Sequence, residues 1–141
     1  MAEMVETYRG TVYPWHCDHM DHMNVMGYVG KFDEGTWNFF SMLGLTASKL
    51  RSGEVHLAAV QQNIGYRKEL YPGDTIAVRS GVLELREKVL RFRHELYNTE
   101  NGEVASTCEF TVVCLDPQAR KSRPFPAECA VRARGLTIEE A

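Results

Sequence analysis

The chain predicts an α+β domain in which one long central helix packs on an antiparallel sheet of about five strands. Three observations carry that prediction. Apolar residues recur at three- and four-residue spacing once, over Val25–Leu43; period-two alternation returns in several later segments; and four strand-like segments follow the helix in succession. A length of 141 residues with 44% hydrophobic content supports one filled core, so a single domain spanning 1–141 is expected.

Taken in order, the first strand is expected at Tyr8–Tyr13. In the helix, Val25, Val29, Phe32, Thr36, Phe40 and Leu43 form the apolar stripe, Asn24 is the candidate N-cap and Gly44 the stop. Strands at about 56–67 and 75–85 are separated by the turn signal "YPGD". In "KVLRFRHELYN", Leu90, Phe92, His94 and Leu96 share one face while Arg91, Arg93 and Glu95 share the other. His94 on that apolar face reads as a core residue. After the turn "NTENGE", Cys108, Phe110, Val112 and Cys114 alternate with Thr107, Glu109 and Thr111, so these cysteines read as small core residues. One helix leaves the edges of such a sheet uncovered, and long open edges favour pairing with a second copy. A homodimer is expected.

A net charge of −3 without a basic tract excludes a nucleic-acid partner by composition. No apolar run is long enough to cross a bilayer, and the four cysteines form no CxxC pair. A cytoplasmic protein with reduced thiols is expected.

The chemistry concentrates in "YPWHCDHMDHMN", Tyr13–Asn24. A metal centre would draw on His16, Cys17, Asp18, His19, Asp21 and His22, but the spacing matches no zinc rule and HExxH is absent. A Cys17–histidine nucleophile lacks a local signature. A plain capping loop is a third reading, because Asp and His readily satisfy backbone amides. A fourth follows from position: the stretch runs into the start of the long helix, where free amides and the helix dipole favour developing negative charge. An aspartate held across from those amides could attack a carbonyl or activate water while they bind the oxyanion.

"DHMDHMN", Asp18–Asn24, resembles the D-x-x-G-H-[VM]-N signature of hotdog-fold acyl-CoA thioesterases of the 4-hydroxybenzoyl-CoA thioesterase type. "GYVGKFDEGTW" resembles the helix that follows it, "VQQNIGYRKELYPGD" the family's strand and Gly-Asp turn, and "DPQARKSRPFPAE" its tail. The resemblance implies a hotdog fold, acyl-CoA as substrate, no cofactor and no metal, and active sites shared between two protomers, in a dimer or a tetramer of two dimers. It makes Asp18 the catalytic carboxylate, His22 and Asn24 the residues that shape the loop, and a backbone amide of Val25 or Met26 the oxyanion donor. It departs from the signature at Asp21, where the family has glycine. An acyl-carrier-protein thioester as substrate and a non-catalytic acyl-CoA sensor are the alternatives.

Two substrate-binding candidates remain. Gln62 shares strand parity with Val60, Ile64 and Tyr66 and is expected to face the helix, toward substrate or toward a structural partner. Tyr28, with Trp15, Trp37 and Phe39, is a candidate wall for an aromatic, short or quaternary-ammonium acyl group, or part of the core.

Overall fold

The five strands form in the computed structural model, which describes residues 1–140, as β1 (Val5–Thr11), β2 (His56–Tyr66), β3 (Thr75–Leu85), β4 (Val89–Asn98) and β5 (Val104–Leu115). All pairs are antiparallel, and the order across the sheet is β1-β3-β4-β5-β2. The consecutive hairpins β3-β4-β5 occupy the centre, and β1 and β2 become the two edges. Alternation in β4 works as expected. Leu90, Phe92, His94 and Leu96 are fully buried, while Arg93 and Glu95 join an outer-face ion-pair ladder with Arg79 and Glu109.

Helix α1 (Val25–Met42) lies across the inner face. Its side chains Phe32 and Phe39 meet Phe92 and His94 of β4, and Phe92 stacks on Phe110 of β5. Burial of this aromatic layer supplies much of the driving force for folding, at about 1.5–3 kcal/mol per large apolar side chain. The buried face runs through Tyr28, Lys31, Phe32, Gly35, Thr36, Phe39 and Phe40. The expected stripe is therefore corrected at its start: Val25 is 58% exposed and Val29 only half-buried. The flank continuing through Asp33 and Trp37 looks across a cleft of about 520 Å³ toward Leu57 and Ala59 of β2, instead of packing on the sheet.

Three further differences have local causes. The first strand is Val5–Thr11, earlier than expected, because pairing with β3 starts at Val5↔Ser80 and Pro14 already opens a 3-10 turn, Pro14–His16. Two helices were not expected: α2 (Ala47–Ser52), capped by Thr46, and α3 (Ala127–Gly135), which buries Cys129 and Ala133. Six residues give too few turns for a periodic signal. The prolines before α3 read as loop, although Pro126 sits just outside its first turn, where no amide is required. The third difference is a bulge in β2 between Ala59 and Gln61, which takes Val60 out of the parity used to place Gln62.

Burial of Cys108 in the sheet pushes its thiol up to about 12, as befits a core residue.

Candidate active site

Between β1 and α1 the chain builds a small hairpin. Cys17 bridges to Met23, the Asp18 amide donates to His22 O at 3.2 Å, and the Asp21 amide donates to Asp18 O at 3.0 Å. The connection is the three-residue kind, in which a tight turn is followed by one left-handed residue. That residue is Asp21, at φ 63°. Glycine takes this conformation freely and aspartate tolerates it, so the departure from the signature keeps the loop's shape. Two bonds anchor the hairpin: Met23 N–H to Leu70 O at 2.7 Å and Asn24 N–H to His16 O at 2.8 Å.

Within this frame Asp18 is half-buried, and both of its oxygens are engaged. Oδ1 accepts from the Met20 amide at 2.9 Å, and Oδ2 faces Asn24 Nδ2 at 3.4 Å. Asn24 is also the N-cap of α1: its Oδ1 accepts from the Met26 amide at 2.9 Å. One amide thus links the carboxylate to the helix start. The cap also divides the two oxyanion candidates. Met26 N–H is taken by Asn24, whereas the Val25 amide donates to nothing among the described residues. A free amide on the first turn carries both hydrogen-bonding capacity and the positive end of the helix dipole.

The neighbours shape this arrangement. His22 rests its Nδ1 3.4 Å from Met23 O, with Nε2 3.8 Å from Glu69. His16 accepts from the Tyr13 amide through Nδ1, which leaves its proton on Nε2, and partial burial followed by Lys31 holds its pKa below the usual value. Among the described residues no three His, Cys, Asp or Glu side chains come together in a way that could hold a metal ion. A cavity of about 250 Å³, lined by Trp15, His16, Asn24, Gly27, Lys31 and Glu34, opens beside the cap. Trp15 stacks on Tyr13 with ring centroids 4.5 Å apart and is 75% exposed, and Met26 on the first helical turn is 80% exposed. Trp15 and Met26 thus leave apolar surface open at the mouth of this cavity.

The two substrate-binding candidates are placed differently from each other. Tyr28 is buried, meets Tyr66 edge-on and donates its hydroxyl to Lys68 O at 2.8 Å, tying the helix start to the end of β2. Gln62 pairs across from Phe110 and so lies on the helix-facing side of the sheet, but it is exposed there because β2 is an edge that α1 does not cover. The buried, partnered amide that parity suggested is therefore corrected. Sequence reasoning missed the division of labour between Val25 and Met26, because which amide a cap consumes depends on a side-chain rotamer.

Residues 12–133 match the family model described as the thioesterase-like superfamily. The chain belongs to the thioesterase-like superfamily. The match holds at that level, broader than the 4-hydroxybenzoyl-CoA type that the loop motif resembles, and it makes the chain a thioesterase by class. A betainyl-CoA thioesterase of Pseudomonas aeruginosa is 23% identical over 136 residues, which are 96% of this chain and 86% of that one. A Staphylococcus aureus protein solved in complex with CoA superposes with a TM-score of 0.89 at 21% identity, covering 99% of this chain and 89% of that one. A 1,4-dihydroxy-2-naphthoyl-CoA thioesterase from Synechocystis gives 0.84 at 18% identity, covering 95% and 98%. The fold is the hotdog arrangement, with α1 as its central helix.

Proposed function

We propose that this chain hydrolyses an acyl-CoA thioester with Asp18 as the reacting carboxylate and the Val25 amide as the oxyanion donor. The observation that carries the reading is the Asn24 side chain, which touches Asp18 with one end and caps α1 with the other, beside an unspent amide. As nucleophile, Asp18 adds to the thioester carbonyl, the tetrahedral oxyanion is held by Val25 N–H, and collapse expels the CoA thiolate to leave a mixed anhydride that water opens. As general base, it takes a proton from water, which attacks the same carbon. Both routes yield the carboxylic acid and free CoA, and neither draws on a cofactor or metal. One oxyanion donor in such a site is worth roughly 10²–10³ in rate.

The CoA bound to the Staphylococcus aureus neighbour and the CoA esters named for the other two relatives favour CoA over a carrier protein as the thiol. Two copies are proposed to join along β2, an eleven-residue edge strand that is exposed almost throughout, with a tetramer of two dimers as a further assembly. The site of action is proposed to be the cytoplasm, where the unpaired thiols stay reduced.

Thiol release from a panel of acyl-CoA esters, set beside matched acyl-carrier-protein thioesters, tests the reading. Turnover of CoA esters supports it, and turnover confined to carrier-protein esters contradicts it. In a single turnover in ¹⁸O water, label in Asp18 identifies a nucleophilic route in which water opens the anhydride at the Asp18 carbon. Opening at the acyl carbon labels only the product acid, as the general-base route does, and a burst of thiol release ahead of acid formation then separates the two.

A further inference from the structure

Beneath α1, in the middle of the aromatic layer, runs a line of four polar side chains. Thr7 Oγ1 lies 2.8 Å from Ser80 Oγ, Ser80 Oγ is hydrogen-bonded to His94 Nδ1, and His94 Nε2 lies 2.8 Å from Thr36 Oγ1. At the ends, Thr36 Oγ1 lies 2.9 Å from Phe32 O and Thr7 Oγ1 3.3 Å from Val78 O, and the four protons of the line can satisfy only one of these two carbonyls. All four residues are at least nine-tenths buried, and no buried side-chain polar atom among the described residues lacks a partner. The tighter contact at Thr36 favours protons running from Thr7 through Ser80 to His94 Nδ1, then from Nε2–H to Thr36 and on to Phe32 O.

Packing alone does not call for this line. Phe32, Phe39, Phe92 and Phe110 surround His94, and an apolar side chain there would satisfy the core without desolvating an imidazole and three hydroxyls. What the polar line adds is direction. Aromatic contacts let a helix slide or roll by fractions of an ångström, whereas a chain of hydrogen bonds fixes one placement.

The elements it joins are those that flank the catalytic loop. Thr7 sits on β1, whose end leads into Asp18, and Thr36 sits on α1, whose start holds the Val25 amide; Ser80 on β3 and His94 on β4 are the bridge between them. Two further bonds run between the same two elements: Asn38 Nδ2 to Thr7 O at 2.6 Å and Lys31 Nζ to Tyr8 Oη at 2.8 Å. Gly35 permits the approach, since a Cβ there would stand 3.0 Å from Thr7 Oγ1 and 3.1 Å from Val78 Cγ1.

We infer that the Thr7–Ser80–His94–Thr36 line is a positioning element for catalysis, setting the distance between the Asp18 carboxylate and the Val25 amide by locking α1 to β1 through the sheet. The inference rests on the functional reading above. None of the four side chains hydrogen-bonds to the Asp18 carboxylate or the Val25 amide. They act through the helix and strand that carry Asp18 and Val25, and a misplacement of about 1 Å at such a site is enough to cost on the order of 10²-fold in rate.

The test compares Thr36→Val, Thr36→Ser and Ser80→Ala with wild type in full-length protein, measuring kcat and KM for the best acyl-CoA ester below every variant's unfolding transition, with Asp18→Asn in parallel. Thr36→Val keeps the shape and removes the hydroxyl, so kcat should fall at least tenfold with KM within about twofold of wild type. Thr36→Ser should restore most of kcat, and Ser80→Ala should shift kcat in the same direction as Thr36→Val. A folded Thr36→Val or Ser80→Ala protein with wild-type kcat overturns the inference, as does a loss that Thr36→Ser does not repair. Should Thr36→Val fail to fold, Ser80→Ala decides alone. A wild type that is active through Asp18 yet indifferent to these changes removes only the positioning role. A wild type that hydrolyses no thioester removes the enzymatic reading and this inference with it.

Discussion

Lowering the pH should weaken the fold through one residue. His94 is fully buried among four aromatic rings, and burial drives its pKa down to about 3, against 6.5 for an imidazole in water. The native state therefore refuses a proton that the unfolded chain accepts. The stability that follows from a neutral His94 is complete above pH 6.5 and drains away as pH falls from there toward 3. With a slope that grows from half to nearly the full ~1.4 kcal/mol per pH unit as the unfolded imidazole protonates, the loss between pH 6.5 and pH 4.5 is about 2 kcal/mol, a large share of a typical domain's roughly 5–15 kcal/mol. Urea unfolding at fixed protein concentration, repeated at several pH values for wild type and His94→Gln, isolates this contribution. Groups common to both proteins cancel, and glutamine does not titrate. Wild type should lose about 2 kcal/mol more than the variant over that interval. Parallel pH profiles would show that His94 takes up its proton in the native state, and the sealed polar line would have to be abandoned.

Two loop substitutions follow from the same geometry. Asp21→Gly removes the cost of a left-handed non-glycine residue at φ 63° and should leave urea stability unchanged or raise it by up to about 1 kcal/mol with turnover retained, whereas Asp21→Val should destabilise. Asn24→Ala deletes the helix cap and the contact to Asp18 together, so unfolding should show a loss of about 1 kcal/mol and turnover should fall by more than that loss of stability explains.

The helix and sheet were legible because each has its own period. Leu90–Leu96 in β4 and Cys108–Cys114 in β5 alternate cleanly, since one face meets α1 and the other meets water. The stripe on α1 was legible from Phe32 onward, where the sheet lies beneath it, but not at Val25 and Val29, which are left exposed or half-buried. Periodicity reports that a face is apolar without saying what will cover it. Gln62 keeps the helix-facing side that parity gave it, opposite Phe110, and only its burial was misread: parity says which face a residue is on and not whether a helix covers that face at an edge strand. At the site, the resemblance singled out the loop that carries Asp18, His22 and Asn24 and marked Asp21 as a departure from glycine, but the left-handed φ at Asp21 came from the structure. The free amide of Val25 and the line from Thr7 to Thr36 were not legible, because both depend on contacts between segments as far apart as β1 and β4.

The central claim is that Asp18 is the reacting carboxylate, and kcat of Asp18→Asn on the best acyl-CoA ester tests it most directly. Asparagine keeps the side chain's volume and can still meet the Met20 amide, so the loop should survive and a circular dichroism spectrum should match wild type. Removal of the anion that attacks or activates water should lower kcat by about two orders of magnitude or more. A folded Asp18→Asn enzyme with near wild-type kcat would contradict the account.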